Sequence, residues 1–566
     1  MQMSALAAIV ALGVASLAAS QSSGDRTSRI DAIFSEYDKT TSPGCAVAVY
    51  EGNRIAFKKA YGMANLDHDV KLTPSSVFHV ASVSKQFTGT AILLLAQEGK
   101  LSIDDDIRKY LPQLPDFGRR ITIRQLANHT SGIRDQWDLL SLAGWRYGRD
   151  LITDDDVMEL LKRQKDLNFD PGDQHLYSNS GFTLMALIVS KVSGQSFREF
   201  TTERIFKPLG MNNTFFRDRF VEIVKNQAYG YVPADGGTFR LGVTNFDTAG
   251  ATSLMTTVED LLKWHTNFDA KTVGGDGLQA RLLERGQLNS GRTLDYAFGI
   301  THGRYRGVAT VGHGGSDAGY RADFVRFPEA RLGIATLCNA SSANPNRLAR
   351  NVADLFLRGA APLTAIQTTE TGRPREDPPE VPVPESTLSR FAGTYWNAND
   401  NALRSFRIVA GTLHLFYDER EGVPLKHIGK GAFVGNGGPP RRIAFHEQTG
   451  GGVDLTIDGN NGPFNRTEPY TPTAEQLAEL AGTYRSDEMD VVFRLALHDG
   501  GIRLERTKQR PSALRPLIED RFRVPPGVLQ FTRDAAGRVT GFVLQGNRVK
   551  NVKFWKEGAA GRRNGG

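Results

Sequence analysis

The sequence predicts an α/β (α+β) sandwich with an antiparallel sheet, followed by two small antiparallel β-barrel domains. Three observations support this prediction. Strand-like runs stand at both ends of the first part of the chain, and helical periodicity fills the interval between them. A proline-rich segment follows, and a β-type pattern then occurs twice. We therefore expect one sheet in the first part, completed by its last strands.

Composition indicates a globular chain of several domains. The protein has 566 residues, of which 40% are hydrophobic and 23% charged, and this length predicts two to four domains. Basic residues alternate with acidic ones despite the net charge of +7, so we expect no nucleic-acid partner, although an anionic envelope polymer stays compatible. The 11 histidines lack ligand spacings and nucleotide-binding glycine patterns are absent, so we expect no metal and no cofactor.

Residues 1–20 are predicted to be a signal peptide. Residues 4–19 form a short apolar stretch, and Ala18 with Ser20 fits the small-residue rule for cleavage before Gln21. No later segment is long and apolar enough to span a membrane, so we expect no stable membrane insertion. The sequence thus predicts a secreted or periplasmic protein.

The first part, residues 28–358, is predicted as one domain. A capping box from Thr256 to Glu259 is expected to start one of its central helices. Its other main elements are predicted in this order: a helix over residues 30–37, strands Cys45–Tyr50 and Arg54–Lys58, helices Ile121–Ala127 and Phe182–Val192, and strands Val308–Gly312, Tyr320–Phe327 and Leu332–Cys338.

Two cysteines, Cys45 and Cys338, are too few for a disulfide scaffold. Both lie in strand-like runs. Two buried thiols are one interpretation, and a cross-strand disulfide is the other if the two strands are neighbours in an oxidising compartment. The sequence leaves both open.

A linker and an internal repeat make up the rest. Six prolines in a polar setting predict an extended linker over residues 359–386. The run Leu388–Tyr395 recurs as Leu477–Tyr484, and alternating patterns follow both copies. We therefore predict one β-barrel over residues 387–472 and a second over 473–558.

The chemistry is predicted at Ser82 and Lys85. They stand three residues apart where a polar segment gives way to an apolar helical run. Residues at i and i+3 share a helix face, so the amine can lie beside the hydroxyl in the first turn. A helix N-terminus lowers the cost of deprotonating a nucleophile. The Ser82–Lys85 pair alone is weak evidence for this chemistry, and the motifs that accompany it strengthen the interpretation.

Those companions are Tyr177 and Asn179 on a predicted loop, and His313-Gly314-Gly315 at the end of a predicted strand. With them and His129-Thr-Ser-Gly132, residues 28–358 resemble the serine β-lactamase and DD-peptidase superfamily. The similarity is to peptidase family S12, the branch with class C β-lactamases, D-aminopeptidases and esterases. It implies a β-lactamase/DD-peptidase-like sandwich. A catalytic domain followed by two lipocalin-like barrels most resembles the D-stereospecific aminopeptidases.

The resemblance also implies roles for individual residues. Ser82 would be the acylated nucleophile, and Lys85 would accept its proton or hold Tyr177 in a basic state. Tyr177 would relay a proton to the leaving group, and Asn179 would hydrogen-bond Lys85 and the substrate amide. The backbone N–H groups of Ser82 and Ser316 would form the oxyanion hole.

His313 departs from the lysine of β-lactamases at the same place. Histidine is mostly neutral at pH 7, which favours substrates without an obligatory carboxylate. A neutral residue that packs beside the cleft is the alternative interpretation of His313. Gly314 and Gly315 would let a substrate approach the strand closely.

The leading hypothesis is a secreted serine hydrolase that cleaves amide or ester bonds through a Ser82 acyl-enzyme, on D-amino-acid peptides, amides or small esters. Alternatives are a β-lactamase or DD-carboxypeptidase, and a non-enzymatic envelope-binding scaffold with a retired active site. The loop Gly437–Pro440 is a candidate for restricting the cleft, with an ordinary surface turn as the alternative. The sequence does not indicate an oligomeric state.

Overall fold

A computed structural model describes residues 25–357, 380–417, 422–435, 442–448, 452–458, 462–525 and 527–558. The predicted signal peptide, most of the predicted linker and the loop Gly437–Pro440 lie outside these ranges. The described residues form two compact units. The first comprises residues 25–141 and 145–357, and the second comprises Leu142–Gly144 and the described residues after 379. Among the described helices, none is both long and apolar enough to cross a membrane.

One antiparallel sheet of six strands organises the first unit. The first two strands of the chain continue the sheet beyond the last four, because Cys45–Glu51 pairs with Leu332–Cys338 along its whole length. This confirms the predicted sandwich, whose sheet the C-terminal strands complete. From edge to edge the strands are Thr301–Tyr305, Val308–Asp317, Tyr320–Phe327, Leu332–Cys338, Cys45–Glu51 and Arg54–Tyr61.

The adjacent strands Leu332–Cys338 and Cys45–Glu51 are buried on both faces, which is why each is rich in apolar residues. On one face, Val47 and Val49 lie in a core cluster with Phe34 and Leu348 from two helices. On the other face, the Tyr50 hydroxyl donates to the carbonyl oxygen of Val258, at the start of a third helix. Helices therefore cover both sides of the sheet.

The remaining elements of the first unit form the helical layers and small sheets. Its helices span residues 25–34, Lys85–Gln97, Ile123–Ala127, Gln136–Leu142, Asp154–Lys162, Asn179–Ser193, Phe197–Thr201, Lys207–Leu209, Val258–Ala270, Gly275–Leu282 and Pro345–Ala353. Short strands are Met63–Asn65, Val70–Lys71, Phe78–His79, Ile152–Thr153, Phe215–Phe216, Tyr231–Pro233, Phe239–Leu241, Phe246–Asp247 and Leu254–Thr256. Single turns of tighter or wider helix are Ser35–Tyr37, Ala81–Ser84, Ile107–Lys109, Thr202–Phe206 and Asp235–Gly237.

The predicted capping box is wrong by one residue. Thr257, not Thr256, caps the helix Val258–Ala270, and its hydroxyl accepts from the backbone N–H of Asp260. Thr256 belongs to a strand that pairs with Phe78. Strand pairing holds Thr256 extended, so the cap moves to the next position.

The second unit contains the two predicted barrels. The first is closed, with strands Gly393–Asn397, Ala402–Val409, Thr412–Phe416, Val423–Gly429, Ala432–Gly435, Arg442–Glu447, Val453–Ile457 and Phe464–Thr467. The second is a nine-stranded sheet in the order Ser512–Ala513, Gly501–Glu505, Val491–His498, Gly482–Ser486, Val552–Lys556, Val539–Gly546, Gly527–Arg533, Arg521–Val524 and Arg515–Ile518. Its two edge strands are consecutive in the chain, so the barrel is nearly closed.

The internal repeat is visible as a shared detail of the two barrels. A helix precedes each one, Glu385–Phe391 in the first and Ala474–Leu480 in the second. The buried Tyr395 hydroxyl donates to the carbonyl oxygen of Phe391 at 3.0 Å, and Tyr484 donates to that of Leu480 at 2.7 Å. The repeated tyrosine thus ties each helix to the first strand of its barrel.

Cys45 and Cys338 form a disulfide, which resolves the choice that the sequence leaves open. They are direct partners on the adjacent strands Cys45–Glu51 and Leu332–Cys338, with 4.0 Å between their Cα atoms. The bond joins the first and last of the sheet's strands along the chain, and because it closes a loop of 293 residues it restricts the unfolded chain.

We expect Cys45→Ala/Cys338→Ala to be less stable than the wild type by about 2–5 kcal/mol, because the bond that closes a long loop is lost. Calorimetric melting without reductant would show this as a lower midpoint for the first unit. A thiol assay on denatured wild type, expected to find no free thiol, is the control. Equal midpoints would contradict the prediction.

Candidate active site

Ser82 lies in a turn of 3₁₀ helix, Ala81–Ser84, directly ahead of the helix Lys85–Gln97. The sequence places it in the first turn of that helix; the structure places it one turn earlier. Ala81 has a φ of 49°, a left-handed conformation that is strained for a residue with a Cβ. The Ser84 hydroxyl secures the turn, since it donates to the Ala81 carbonyl oxygen at 2.5 Å and accepts from the Leu254 N–H. Ser82 stays partly exposed at this strained corner.

Lys85 is fully buried, and its amine contacts oxygen atoms of three other residues among its neighbours. Its Nζ donates to Ser82 Oγ at 3.0 Å, to Asn179 Oδ1 at 2.9 Å and to the carbonyl oxygen of Ala251 at 2.6 Å. The latter two oxygens can only accept. A neutral Lys85 amine has two protons for those acceptors and one lone pair that can accept from the Ser82 hydroxyl.

Asn179 is held by a residue that the sequence did not single out. Asp135 is fully buried, and its Oδ2 accepts from the backbone N–H of Asn179 at 2.7 Å and from Asn179 Nδ2 at 2.8 Å. Because Asp135 engages the backbone N–H and the side-chain Nδ2 of Asn179, the Oδ1 atom of Asn179 is presented to Lys85. Its position three residues after His129-Thr-Ser-Gly132 is the only sequence signal that Asp135 carries.

Tyr177 stands over the same amine. Lys85 Nζ lies 4.9 Å from the centre of the Tyr177 ring, and the centres of the His129 and Tyr177 rings are 4.2 Å apart. Burial, with a smaller effect of Lys85, holds the pKa of His129 well below its usual value, so this imidazole is neutral. Its Nδ1 accepts from the backbone N–H of Ser178 at 3.1 Å, which fixes the loop that carries Tyr177.

His313 is buried within the strand Val308–Asp317, which continues past the glycines where the sequence predicts its end. Burial, and to a lesser extent Lys85, lowers the pKa of His313 to about 4. Nδ1 lies 2.6 Å from the Gly314 carbonyl oxygen, which only accepts, so Nδ1 carries the proton and Nε2 accepts from the Tyr296 hydroxyl at 2.9 Å. His313 is a neutral, packed residue, 6.1 Å from the Tyr177 ring between centroids.

The two glycines have different surroundings. A Cβ at Gly315 would come within 2.2 Å of the Val80 carbonyl oxygen, so only glycine lets this strand approach the turn that carries Ser82. A Cβ at Gly314 would meet nothing nearer than 3.7 Å. Gly314 and Ser316 are exposed, so this edge of the strand is open to a ligand.

The structure thus brings Ser82, Lys85, Tyr177, Asn179 and His313 together. The strand Val308–Asp317, here called the glycine strand, lies beside the turn Ala81–Ser84, here called the nucleophile turn. Within the described residues, no cluster of three or more His, Cys, Asp or Glu side chains could hold a metal ion. The donor set around Ser82 is one amine, one amide, one phenol and backbone groups. It fits proton transfer at a hydroxyl.

We expect His313→Gln to make the protein less sensitive to acid. The pKa of His313 in the folded protein, about 4, lies below the usual 6.5. Between these two pH values the unfolded chain binds more protons than the folded protein, so the free energy of unfolding decreases as the pH is lowered. Without the imidazole, the decrease in the free energy of unfolding from pH 7 to pH 5 should be smaller by about 2 kcal/mol.

Thermal or urea unfolding at both pH values checks this. His498→Gln, which changes a half-exposed imidazole in the second barrel, is the control and should unfold like the wild type. An unchanged pH dependence in His313→Gln would contradict the prediction.

Comparison with known proteins assigns the chain to a family. A beta-lactamase family model matches residues 30–358. A D-aminopeptidase of Gluconobacter oxydans (strain 621H) is 26% identical over 79% of this chain and 80% of its own. A penicillin-binding protein of Bacillus subtilis (strain 168) is 29% identical over 65% of this chain and 84% of its own.

Among solved structures, the octameric penicillin-binding protein homologue from Pyrococcus abyssi shares the fold, with a TM-score of 0.54 and 22% identity. It covers 78% of this chain, which in turn covers 99% of that one. The family model spans more than half of the sequence, including every residue of the candidate site. The chain belongs to the beta-lactamase family and is one of its serine hydrolases.

Proposed function

We propose that this protein hydrolyses amide bonds of D-amino-acid peptides or amides, and small esters, through an acyl-enzyme on Ser82. The contact that carries the proposal is the 3.0 Å hydrogen bond between the buried Lys85 amine and the partly exposed Ser82 hydroxyl. A serine hydroxyl is a weak nucleophile until a base takes its proton. Asn179 Oδ1 and the Ala251 carbonyl oxygen orient that base.

The steps follow from these contacts. Ser82 Oγ attacks the substrate carbonyl carbon while its proton passes to neutral Lys85, which leaves an oxyanion on the substrate. Backbone N–H groups of Ser82 and Ser316 are the proposed donors to that oxygen, each worth about 3–4 kcal/mol in the transition state. The C–N or C–O bond then breaks, and the leaving amine or alcohol takes the Lys85 proton by way of Tyr177. Water, activated by the same groups, hydrolyses the ester on Ser82.

The substrate class rests on His313 and on the relatives. At neutral pH a histidine whose pKa is about 4 gives no cation for a substrate carboxylate, which disfavours penicillins and C-terminal carboxylates. The match to the D-aminopeptidase relative spans 79% of this chain, which is more than the catalytic unit alone. Amides, N-terminal D-residues and esters are therefore the proposed substrates, ahead of β-lactams or DD-carboxypeptidase substrates.

We also propose that the protein works outside the cytoplasm, in the periplasm or secreted. The disulfide between Cys45 and Cys338 supports this, because such bonds persist in oxidising compartments. The predicted signal peptide over residues 1–20 agrees with it.

A fluorescent fluorophosphonate should label wild-type protein at Ser82, with the adduct mapped by peptide mass spectrometry, because the activated hydroxyl attacks the phosphorus. Ser82→Ala should show neither label nor turnover of D-alanyl and L-alanyl p-nitroanilides, p-nitrophenyl acetate and nitrocefin. We expect the wild type to prefer the D-anilide and to be slow on nitrocefin. A folded wild type that is neither labelled nor active would favour an envelope-binding scaffold instead.

Asp135→Ala should lower kcat by about 10- to 100-fold, because a freed Asn179 no longer holds Lys85 in line with Ser82. Steady-state kinetics on the same substrates would show this. Asp155→Asn, an exposed acid at the start of the helix Asp154–Lys162, is the matched control and should keep wild-type rates. Full activity in a folded Asp135→Ala would rule out this role.

A further inference from the structure

A second buried polar cluster lies beside the candidate site and takes no part in the steps above. Asp317 Oδ2 accepts from the Thr252 hydroxyl at 2.6 Å and from His79 Nε2 at 3.0 Å. His79 Nε2 is also 3.1 Å from Thr252 Oγ1. Because a carboxylate oxygen accepts, Nε2 of His79 carries the proton. His79 and Thr252 are each 4% exposed.

Each member of this cluster belongs to a different segment of the candidate site. His79 ends a short strand three residues before Ser82. Thr252 follows Ala251, whose carbonyl oxygen accepts from Lys85. Asp317 follows Ser316 at the end of the glycine strand. Two hydrogen bonds to one carboxylate oxygen therefore join three segments: the residues just before Ser82, the residues that follow Ala251, and the end of the glycine strand.

We propose that His79, Thr252 and Asp317 are positioning residues that set the distance between the backbone N–H groups of Ser82 and Ser316. This role rests on the proposed function. The three side chains act through their neighbours in sequence, and none is assigned a contact with substrate. Asp317 is the junction, because both of its partners bind the same oxygen.

Two other contacts also join these segments. The backbone N–H of Val80 donates to the Leu254 carbonyl oxygen at 3.0 Å, which pairs the first two segments. The glycine strand meets Val80 through the close approach of Gly315, a steric contact that limits how near the strand comes without drawing it in. The carboxylate of Asp317 supplies the attraction, since hydrogen bonds to a charged group are the strong ones.

Displacing one of these N–H donors reduces the stabilisation of the transition state more than that of the bound substrate, because the oxyanion forms only during the reaction. We therefore expect Thr252→Val, which keeps the shape and removes the hydroxyl, to lower kcat on p-nitrophenyl acetate by about 10- to 100-fold. KM should stay within about two-fold. Thr252→Ser restores the hydroxyl and should recover most of the rate.

Thr214→Val is the matched control. Thr214 is also 4% exposed, and its hydroxyl donates to Asp260 Oδ2 at 2.9 Å and shares a hydrogen bond with Thr256 Oγ1 at 2.7 Å. This cluster is buried in the same unit. Thr214→Val should lose thermal stability as Thr252→Val does and keep the wild-type kcat, so stability alone cannot account for a difference in rate.

His79→Gln and Asp317→Asn test the other members, with melting midpoints measured for every variant. His79→Gln keeps an N–H donor, so its kcat should fall less than that of His79→Ala. Unchanged kcat in folded Thr252→Val and Asp317→Asn, or an equal fall in Thr214→Val, would overturn the proposed role. Wild type that fluorophosphonate does not label at Ser82 would instead remove the proposed function, and the positioning role with it.

Discussion

One buried amine determines how the catalytic unit is arranged. Lys85 lies without solvent contact, and three oxygen atoms from separate segments converge on it. A buried amine that lacked these partners would be costly, since desolvation removes the hydrogen bonds that water supplied. The hydrogen bonds of Lys85 therefore fix three segments relative to one another: the helix that bears Lys85, the loop before Asn179 and the segment around Ala251. The nucleophile turn is attached to that same point.

The outer supports of this arrangement are neutral or carboxylate groups. His129 and His313 both have pKa values lowered by burial, so neither imidazole adds a positive charge beside the amine. Asp135 acts at one remove, through Asn179. These two imidazoles thus add polar atoms near Lys85 without adding positive charge. This suits a group that has to gain and release a proton during each cycle.

Local patterns in the sequence predict the fold, and they single out most of the residues that the structure brings together around Ser82. Strand-like runs at Cys45–Tyr50 and Leu332–Cys338 predict two strands, which the structure shows to be neighbours buried on both faces. Ser82 and Lys85 were found by a spacing that helical geometry makes meaningful. Asp135, His79 and Thr252 were missed because their partners are distant in sequence, and no local rule connects a carboxylate to a neighbour 44 positions away. The pairing of the cysteines depended in the same way on strand order.

The cross-strand disulfide gives the chain an unusual covalent topology. From Cys45 to Cys338 the backbone and the S–S bond form a closed ring, and that ring contains every residue assigned to the site. A protease that cuts one loop inside it therefore opens the ring without separating any piece. The two barrels follow Cys338 in the chain and therefore lie outside this ring. Any single cut between the two cysteines thus leaves all the assigned site residues in one covalent molecule.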